Sequence, residues 1–568
     1  MDRRIYAVTS VILGVGLGII ADVFFFRRWV GLSFPLYALL CTAALIGFAA
    51  IVRQKAQFRN LWLLIPLGFF ALMVAVRANE TLTFINVLAV LTLTALVLHY
   101  FPLKQTIDSE PLITQAMALI EAGFITVFTP VGQLIDSVGW VRERRPLHHP
   151  VAGAVVRGLV IAIPVLIVFG LLLASADQVF GQYVSRITSL FQLRNMSDVL
   201  TQGMIAGFFG WFACGGLAYA ALRRVDPDRR YVQVGDLPPA EIAPEPAADY
   251  NFDDANQPHP PTPSPHREEE QSTEAMPAST QPKGKKPSFT LGMIESGIVL
   301  GLVDLLFGAF VLIQFAYFFG GEGNISATGF TYADYARRGF FELVAVSVLT
   351  LCLMLWLDYV TVRHNPAQQT IFRGLIVIII ALVGVMLWSA HVRLTLYEEA
   401  YGFTHLRLYP HVFTLWLAVL FGFFLLMLFR VRANIFSFGA LLCIIGYVVT
   451  LNVINPDQTI MAQNINRFHN GSSFDLGYLR NVSEDAVPVI LAFYQQNPDI
   501  DPDLRYGIGQ WLIWQSLTLQ SQRADLSILS AHVARDTAYA QLTAALADLP
   551  DYDPNYRLPY FSDYLYDR

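Results

Sequence analysis

The sequence predicts an all-α, polytopic integral membrane helical bundle of about eleven spans, with a small helical soluble domain at its C-terminal end. Three observations predict it. Of 568 residues, 55% are hydrophobic and only 14% charged, against about 25% charged in an ordinary soluble protein. The apolar residues fall in blocks of roughly 18 or more, the length that a hydrocarbon core about 30 Å thick selects. The stretch from 455 onward loses those blocks and turns acidic, with 13 Asp, one Glu, seven Arg and no Lys. This balance excludes a soluble enzyme, and the net charge of -6 supplies no basic surplus for a nucleic acid.

The elements follow in order. After Met1-Asp2-Arg3-Arg4 an apolar run covers 5–26. It has no small-residue cleavage site and is longer than a signal-peptide core, so it reads as a retained first span. Blocks at 29–52, 61–76 and 81–101 complete a four-helix region over 1–103. Residues 104–150 break the pattern, mixing apolar stretches with Gln115, Glu121, Gln133 and Asp136 before the basic run Arg142, Arg144 and Arg145. That is the composition of an amphipathic segment lying at the membrane interface.

Spans at 151–176 and 203–222 come next, within the region 151–222. Across 223–287 prolines crowd together (Pro258, Pro260, Pro261, Pro263, Pro265) beside Glu268, Glu269 and Glu270. So few apolar residues cannot offset the chain entropy, and this linker is predicted to be disordered. Five further spans, at 289–319, 340–362, 371–392, 412–429 and 436–454, make the region 288–454. In 455–568, Ser483 is placed as an N-cap ahead of Glu484 and Asp485; helices are predicted from 483, at 505–520 and at 524–549, before a Tyr- and Asp-rich tail.

Basic residues set the orientation. With the N-terminus in the cytoplasm, Arg53, Lys55, Arg59, Arg142, Arg144, Arg145, Arg223, Arg224, Arg363, Arg430 and Arg432 share its side. This set outnumbers Arg27, Arg28, Arg77, Arg186, Arg194, Arg337, Arg338, Arg393 and Arg407 opposite, which puts the C-terminal domain outside.

Charges at membrane depth are the candidate functional residues, because an unpaired one costs a few kcal/mol or more there. Asp304, in Gly301-Leu302-Val303-Asp304-Leu305, is the sharpest. Arg338 and Glu342 stand at i and i+4 and can pair along one helix face. Between 397 and 409, Glu398, Glu399, His405 and Arg407 gather among tyrosines. Paired carboxylates held in a cleft can do acid–base work; the plainer reading is a solvated interfacial helix with its tyrosines in the aromatic belt.

No residue is predicted to be catalytic, to bind metal or to hold a cofactor. HExxH, Walker A and GxSxG patterns do not occur. His148 and His149 are adjacent and cannot both face one metal from a helix. Cys41, Cys214, Cys352 and Cys443 sit inside apolar blocks without a CxxC spacing, as small packing residues do.

Four separated pieces carry a resemblance. They are Val156-Arg157-Gly158-Leu159 with Ala162-Ile163-Pro164 and Ser175-Ala176-Asp177-Gln178-Val179-Phe180; the run Thr331 to Leu343; Ala400-Tyr401-Gly402-Phe403-Thr404 with Leu406-Arg407; and Asn455-Pro456-Asp457 with Asn464-Ile465-Asn466-Arg467. In these pieces the chain resembles bacterial multi-spanning inner-membrane proteins of domain of unknown function 4173, related to the 4153 group. The resemblance covers roughly 150–495 without the Pro-rich insertion. It implies a fold-level family and a bacterial envelope location, and no activity.

Two functional classes follow. The first is a non-enzymatic envelope protein that binds, senses or scaffolds, with the lipid bilayer around it and a protein partner reached through the linker or the C-terminal domain. The second is a secondary transporter built on an intramembrane carboxylate. Transport calls for ionisable groups near midplane in both halves, and Asp304 has no counterpart in the first, where Asp22, Glu80 and Asp177 lie near span ends.

Overall fold

The computed structural model describes residues 3–51, 58–101, 106–144, 196–222, 291–319, 332–429, 434–523 and 527–559. Among the described residues the chain is helical, with one isolated bridge, Leu291 to Thr361, and no strand.

The first six helices are α1 (Arg3–Phe25), α2 (Ser33–Ile51), α3 (Leu64–Val76), α4 (Glu80–Tyr100), α5 (Leu112–Arg144) and α6 (Met196–Leu222). Small residues let α1 and α6 cross closely, since a Cβ on Gly18 would fall 2.1 Å from the Ala206 carbonyl oxygen. Helix α5 is one continuous helix of 33 residues. It lies against α1, α4 and α6, and its polar Gln115 turns inward to donate to the Ile107 carbonyl at 2.9 Å.

A second group is formed by α7 (Met293–Phe319), α8 (Tyr332–Val360), α9 (Pro366–Tyr401) and α10 (His405–Leu428). Helix α11 (Ile435–Ile454) joins the groups. Its Leu441 and Val448 enter the core of the first, whereas Phe436 enters that of the second.

Among the described residues eight helices are long and apolar enough to cross a membrane: Ala7–Phe25, Glu80–Tyr100, Thr201–Ala220, Met293–Leu312, Leu343–Val360, Pro366–Tyr401, His405–Leu428 and Ile435–Ile454. Ser33–Ala49 and Asn60–Val76 are shorter apolar helices. The span predicted at 151–176 and the linker at 223–287 lie outside the described residues. Large apolar side chains such as Ile65, Ile294 and Leu305 point outward from the bundle, as residues that face lipid do. Cys214 and Cys443 pack inside as expected, but Cys352 is exposed, on a face that no described helix covers.

The remaining helices, α12 (Pro456–His469), α13 (Val487–Gln496), α14 (Pro502–Arg523) and α15 (Val533–Ala544), build a core of their own around Leu479, Ile490, Ile508 and Leu512. Ser483 caps as its sequence predicts, accepting from the Asp485 N–H, and a 3₁₀ turn over Glu484–Ala486 leads into α13. The predicted helix at 524–549 is shorter, because a 3₁₀ turn at Ile528–Ser530 precedes α15.

This C-terminal unit rests on loops of the bundle. The Leu32 N–H donates to the Ala531 carbonyl at 2.9 Å. A Cβ on Gly31 would stand 2.5 Å from that same oxygen, so the contact needs a glycine. The α3–α4 and α9–α10 turns meet the same unit, and they bring the candidate site together.

Candidate functional site

The site is built on Asp457, the second residue of α12. Asn455 ends α11 in a left-handed conformation (φ 54°), and Pro456 opens α12 at a position where a missing N–H costs nothing. The turn between them carries the Asp457 carboxylate into the seam between the bundle and the C-terminal unit, where it is 0% exposed.

Four donors converge on it. Asn79 Nδ2 donates to both oxygens at 3.1 and 3.0 Å, the Ser483 N–H donates to Oδ2 at 2.9 Å, and the Ser483 hydroxyl and His405 Nε2 are hydrogen-bonded to it. Asn79 works in two directions, because its Oδ1 accepts the Leu82 N–H at 2.9 Å and so caps α4. Its backbone and that of Ala78 donate to a second carboxylate, Asp485, at 3.2 and 2.6 Å. Arg77 flanks that carboxylate at 3.6 Å and donates through Nε to the Asn452 carbonyl at 2.9 Å.

The two acids are poised differently. Burial pushes the Asp457 carboxyl up, but the hydrogen bond and charge of His405, then Ser483 and Asn79, outweigh it and hold Asp457 below the ordinary carboxylate range. Burial raises Asp485, and the Asp457 charge adds to the rise against the Ala78 N–H and Arg77. An ionised carboxylate only accepts, so His405 Nε2 carries a hydrogen. Its Nδ1 stands 3.0 Å from the Tyr478 hydroxyl, an oxygen that itself accepts the His405 backbone N–H at 3.1 Å. Burial keeps that phenol protonated.

Arg407 and Arg467 serve the end of α9. Arg407 Nη1 donates to the carbonyls of Tyr401 and Gly402; Arg467 donates to those of Glu399 and Ala400 at 2.8 and 3.0 Å. These are the four carbonyls that a helix end leaves without partners. Gly402 is left-handed (φ 84°), and a Cβ there would meet Arg467 Nη1 at 2.9 Å. Asn464 closes the turn, accepting the Phe403 N–H at 2.8 Å and donating to its carbonyl at 3.0 Å.

The sequence-predicted residues therefore separate. His405 and Arg407 lie in this seam. Glu398 and Glu399 do not share a cleft, since Glu398 is buried and Glu399 exposed. Asp304 is on α7, away from the seam; both its carboxylate oxygens are buried without a hydrogen-bond partner among the described residues. Arg338 and Glu342 fall on α8, with side chains outside the described residues. Asn79, Asp457, Ser483, Asp485 and Asn464 were not among the predicted site residues. The available signals were Asn-Pro-Asp as a helix start and Asn79 ahead of an apolar run as an N-cap.

The fold defines a class, a helical membrane protein whose C-terminal helices are fastened to bundle loops through buried carboxylates. Its membership is specific. The chain belongs to the family described as "Domain of unknown function (DUF4153)", whose model matches residues 64–493. The match reaches upstream of the resemblance read from the sequence, taking in α3 and α4 with Arg77 and Asn79, and it includes His405, Asp457, Ser483 and Asp485. The third and fourth pieces of that resemblance, around 400–407 and 455–467, are the two sides of one contact. No curated protein and no solved structure matches the chain.

Proposed function

We propose that this is a non-enzymatic bacterial inner-membrane protein of eleven spans, N-terminus in the cytoplasm, that uses its extracytoplasmic C-terminal helices to bind, sense or scaffold. One observation carries the reading. Asn79, His405 and Ser483 converge on the Asp457 carboxylate and Arg407 is committed to the end of α9, so these polar groups hold a platform in place rather than face a substrate. The outward face of that platform carries Trp514 and Leu517, both exposed.

The test is photo-crosslinking in intact cells from a reactive analogue at Trp514, with exposed Gln520 as control, beside a periplasm-active reporter fused at the C-terminus. The reading expects an active reporter and a discrete adduct from position 514 only. An inactive reporter, or a turnover that His405→Ala abolishes while the C-terminal unit stays docked, overturns it.

A second reading, secondary transport, is favoured by Asp304. Among the described residues its two buried oxygens have no hydrogen-bond partner, on the α7 face shared with Leu300, Phe307 and Val311, and such a carboxylate at membrane depth is a site for a coupling ion. Loss of a proton- or sodium-driven flux in vesicles on Asp304→Asn, with folding intact, decides for it; an unchanged flux removes it.

A further inference from the structure

The adjoining ends of α9 and α10 bury a set of ionisable groups that the fastening does not use. Glu398 is only 3% exposed. One of its oxygens, Oε2, faces His411 Nδ1 at 3.2 Å, and the other, Oε1, is buried without a hydrogen-bond partner among the described residues. His411 Nε2 stands 3.3 Å from His391 Nε2, the two rings perpendicular with centroids 4.1 Å apart. His391 in turn stacks on Trp388, which is 69% exposed. His391 and Glu398 are two turns apart, so they share one face of α9, and the α9–α10 turn folds His411 back between them.

The hydrogens can be placed. With Glu398 ionised, its oxygen only accepts, so His411 Nδ1 donates to it. In the neutral ring His411 Nε2 is then a lone pair, which accepts from the Nε2–H of His391. This leaves His391 Nδ1 as the acceptor at the Trp388 end of the row.

We propose that His391, His411 and Glu398 form a proton-accepting chain, a site whose ligand is a proton and whose terminal acceptor is Glu398. A proton added at His391 Nδ1 sends the Nε2 hydrogen of that ring to His411 Nε2. His411 then releases its Nδ1 hydrogen to Glu398 Oε2. Both rings end neutral with their hydrogens exchanged between nitrogens, and the carboxylate ends as a carboxylic acid, so one proton enters and one negative charge disappears. Aromatic Trp388 at the entrance suits the interface between lipid and water, from which the proton comes.

Other ionisable groups belong to the elements around this row. On the same end of α9 they are Arg393, Tyr397, Glu399 and Tyr401, and on α10 His405, Arg407 and Tyr409. Helix α12 brings Arg467 to the Glu399 carbonyl, and α7, packed on α9, carries Asp304. Helix α8, also packed on α9, carries Arg337, Arg338 and Glu342, with side chains outside the described residues. The competing occupant is a metal ion between the two Nε2 atoms. Among the described residues no group of three or more His, Cys, Asp or Glu forms a ligand set. The chain stands independently of the Asp457 fastening and of either functional reading above.

The test follows the side-chain nitrogens of ¹⁵N-histidine-labelled full-length protein in lipid nanodiscs from about pH 8 to about pH 5, the span over which imidazole charges. His391→Asn and His411→Asn assign the signals. The expected result is one coupled transition shared by both rings, which stay neutral while His411 moves its hydrogen from Nδ1 at the upper end to Nε2 at the lower. Glu398→Gln should lower the proton affinity of the pair about tenfold, while Glu398→Asp restores part of it. His391→Asn, at a half-exposed position, should shift the His411 transition and keeps the proposal testable if Glu398→Gln fails to fold. Two independent transitions at the free-imidazole position, unmoved by His391→Asn or Glu398→Gln, overturn the proposal. So does a signal change that needs added zinc and ignores pH.

Discussion

Asp457 and Asp304 both hold carboxylate oxygens away from water, yet their surroundings are opposites. Asp457 sits in a seam with Asn79, His405 and Ser483 aimed at it, whereas neither Asp304 oxygen has a hydrogen-bond partner among the described residues. A buried charge with donors built around it is a structural commitment, since losing one partner leaves the rest desolvated and unpaired. A buried carboxyl without donors contributes nothing to stability in its charged form. The difference teaches which acid the fold depends on and which it merely tolerates.

The comparison breaks most visibly at Asp457. Replacing it with alanine strands His405, Asn79 and Ser483, and should cost about 3–5 kcal/mol of docking of the C-terminal unit. Limited proteolysis and thermal unfolding in detergent read the loss. Acid should weaken the carboxylate's contribution in the same sense. A carboxyl held below its unfolded value contributes fully above that value, and the contribution fades as pH falls through the folded one.

His532 sharpens the comparison with a pH window. It is 5% exposed, and burial, then the nearby Arg535 charge, lower it from 6.5 to about 4. Above pH 6.5 both the docked and the released forms are neutral. Below it only the released form takes a proton, so docking weakens as pH falls from about 6.5 to about 4, by on the order of 3 kcal/mol at the lower end. In His532→Asn that part of the pH dependence should vanish, as proteolysis rates across the window will show.

Asp485→Ala leaves the Ala78 and Asn79 N–H groups without an acceptor and should cost about 2 kcal/mol, measured by the same melts. Asp304→Asn changes a carboxyl that has no hydrogen-bond partner to lose among the described residues. Its melting should stay within about 0.5 kcal/mol of the parent chain or rise slightly. A large destabilisation there would mean that Asp304 is held as firmly as Asp457.

Much of this architecture is legible in the sequence, for physical reasons. Bilayer thickness imposes block length, so α4, α7, α10 and α11 announce themselves. Ser483 ahead of two acids marks its own cap. Asp304 stands out because a lone charge in an apolar run is conspicuous. Asp457 does not, because it lies just past a span in a polar stretch, where an acid looks solvated; only the fold brings Asn79 and His405, 378 and 52 residues distant in sequence, to its side. Arg407 illustrates the same limit. Its charge marks it as a candidate, but its role as a cap for the carbonyls ending α9 depends on a turn geometry that residue type alone does not reveal.

The most direct test of the fastening is a double-mutant cycle between Asn79 and Asp457, using Asn79→Ala and Asp457→Asn singly and together, with release of the C-terminal unit as the readout. Direct contact through the buried carboxylate predicts a coupling of about 1–3 kcal/mol, the double variant losing less than the sum of the single ones. Losses that simply add, within about 0.5 kcal/mol, would contradict the account.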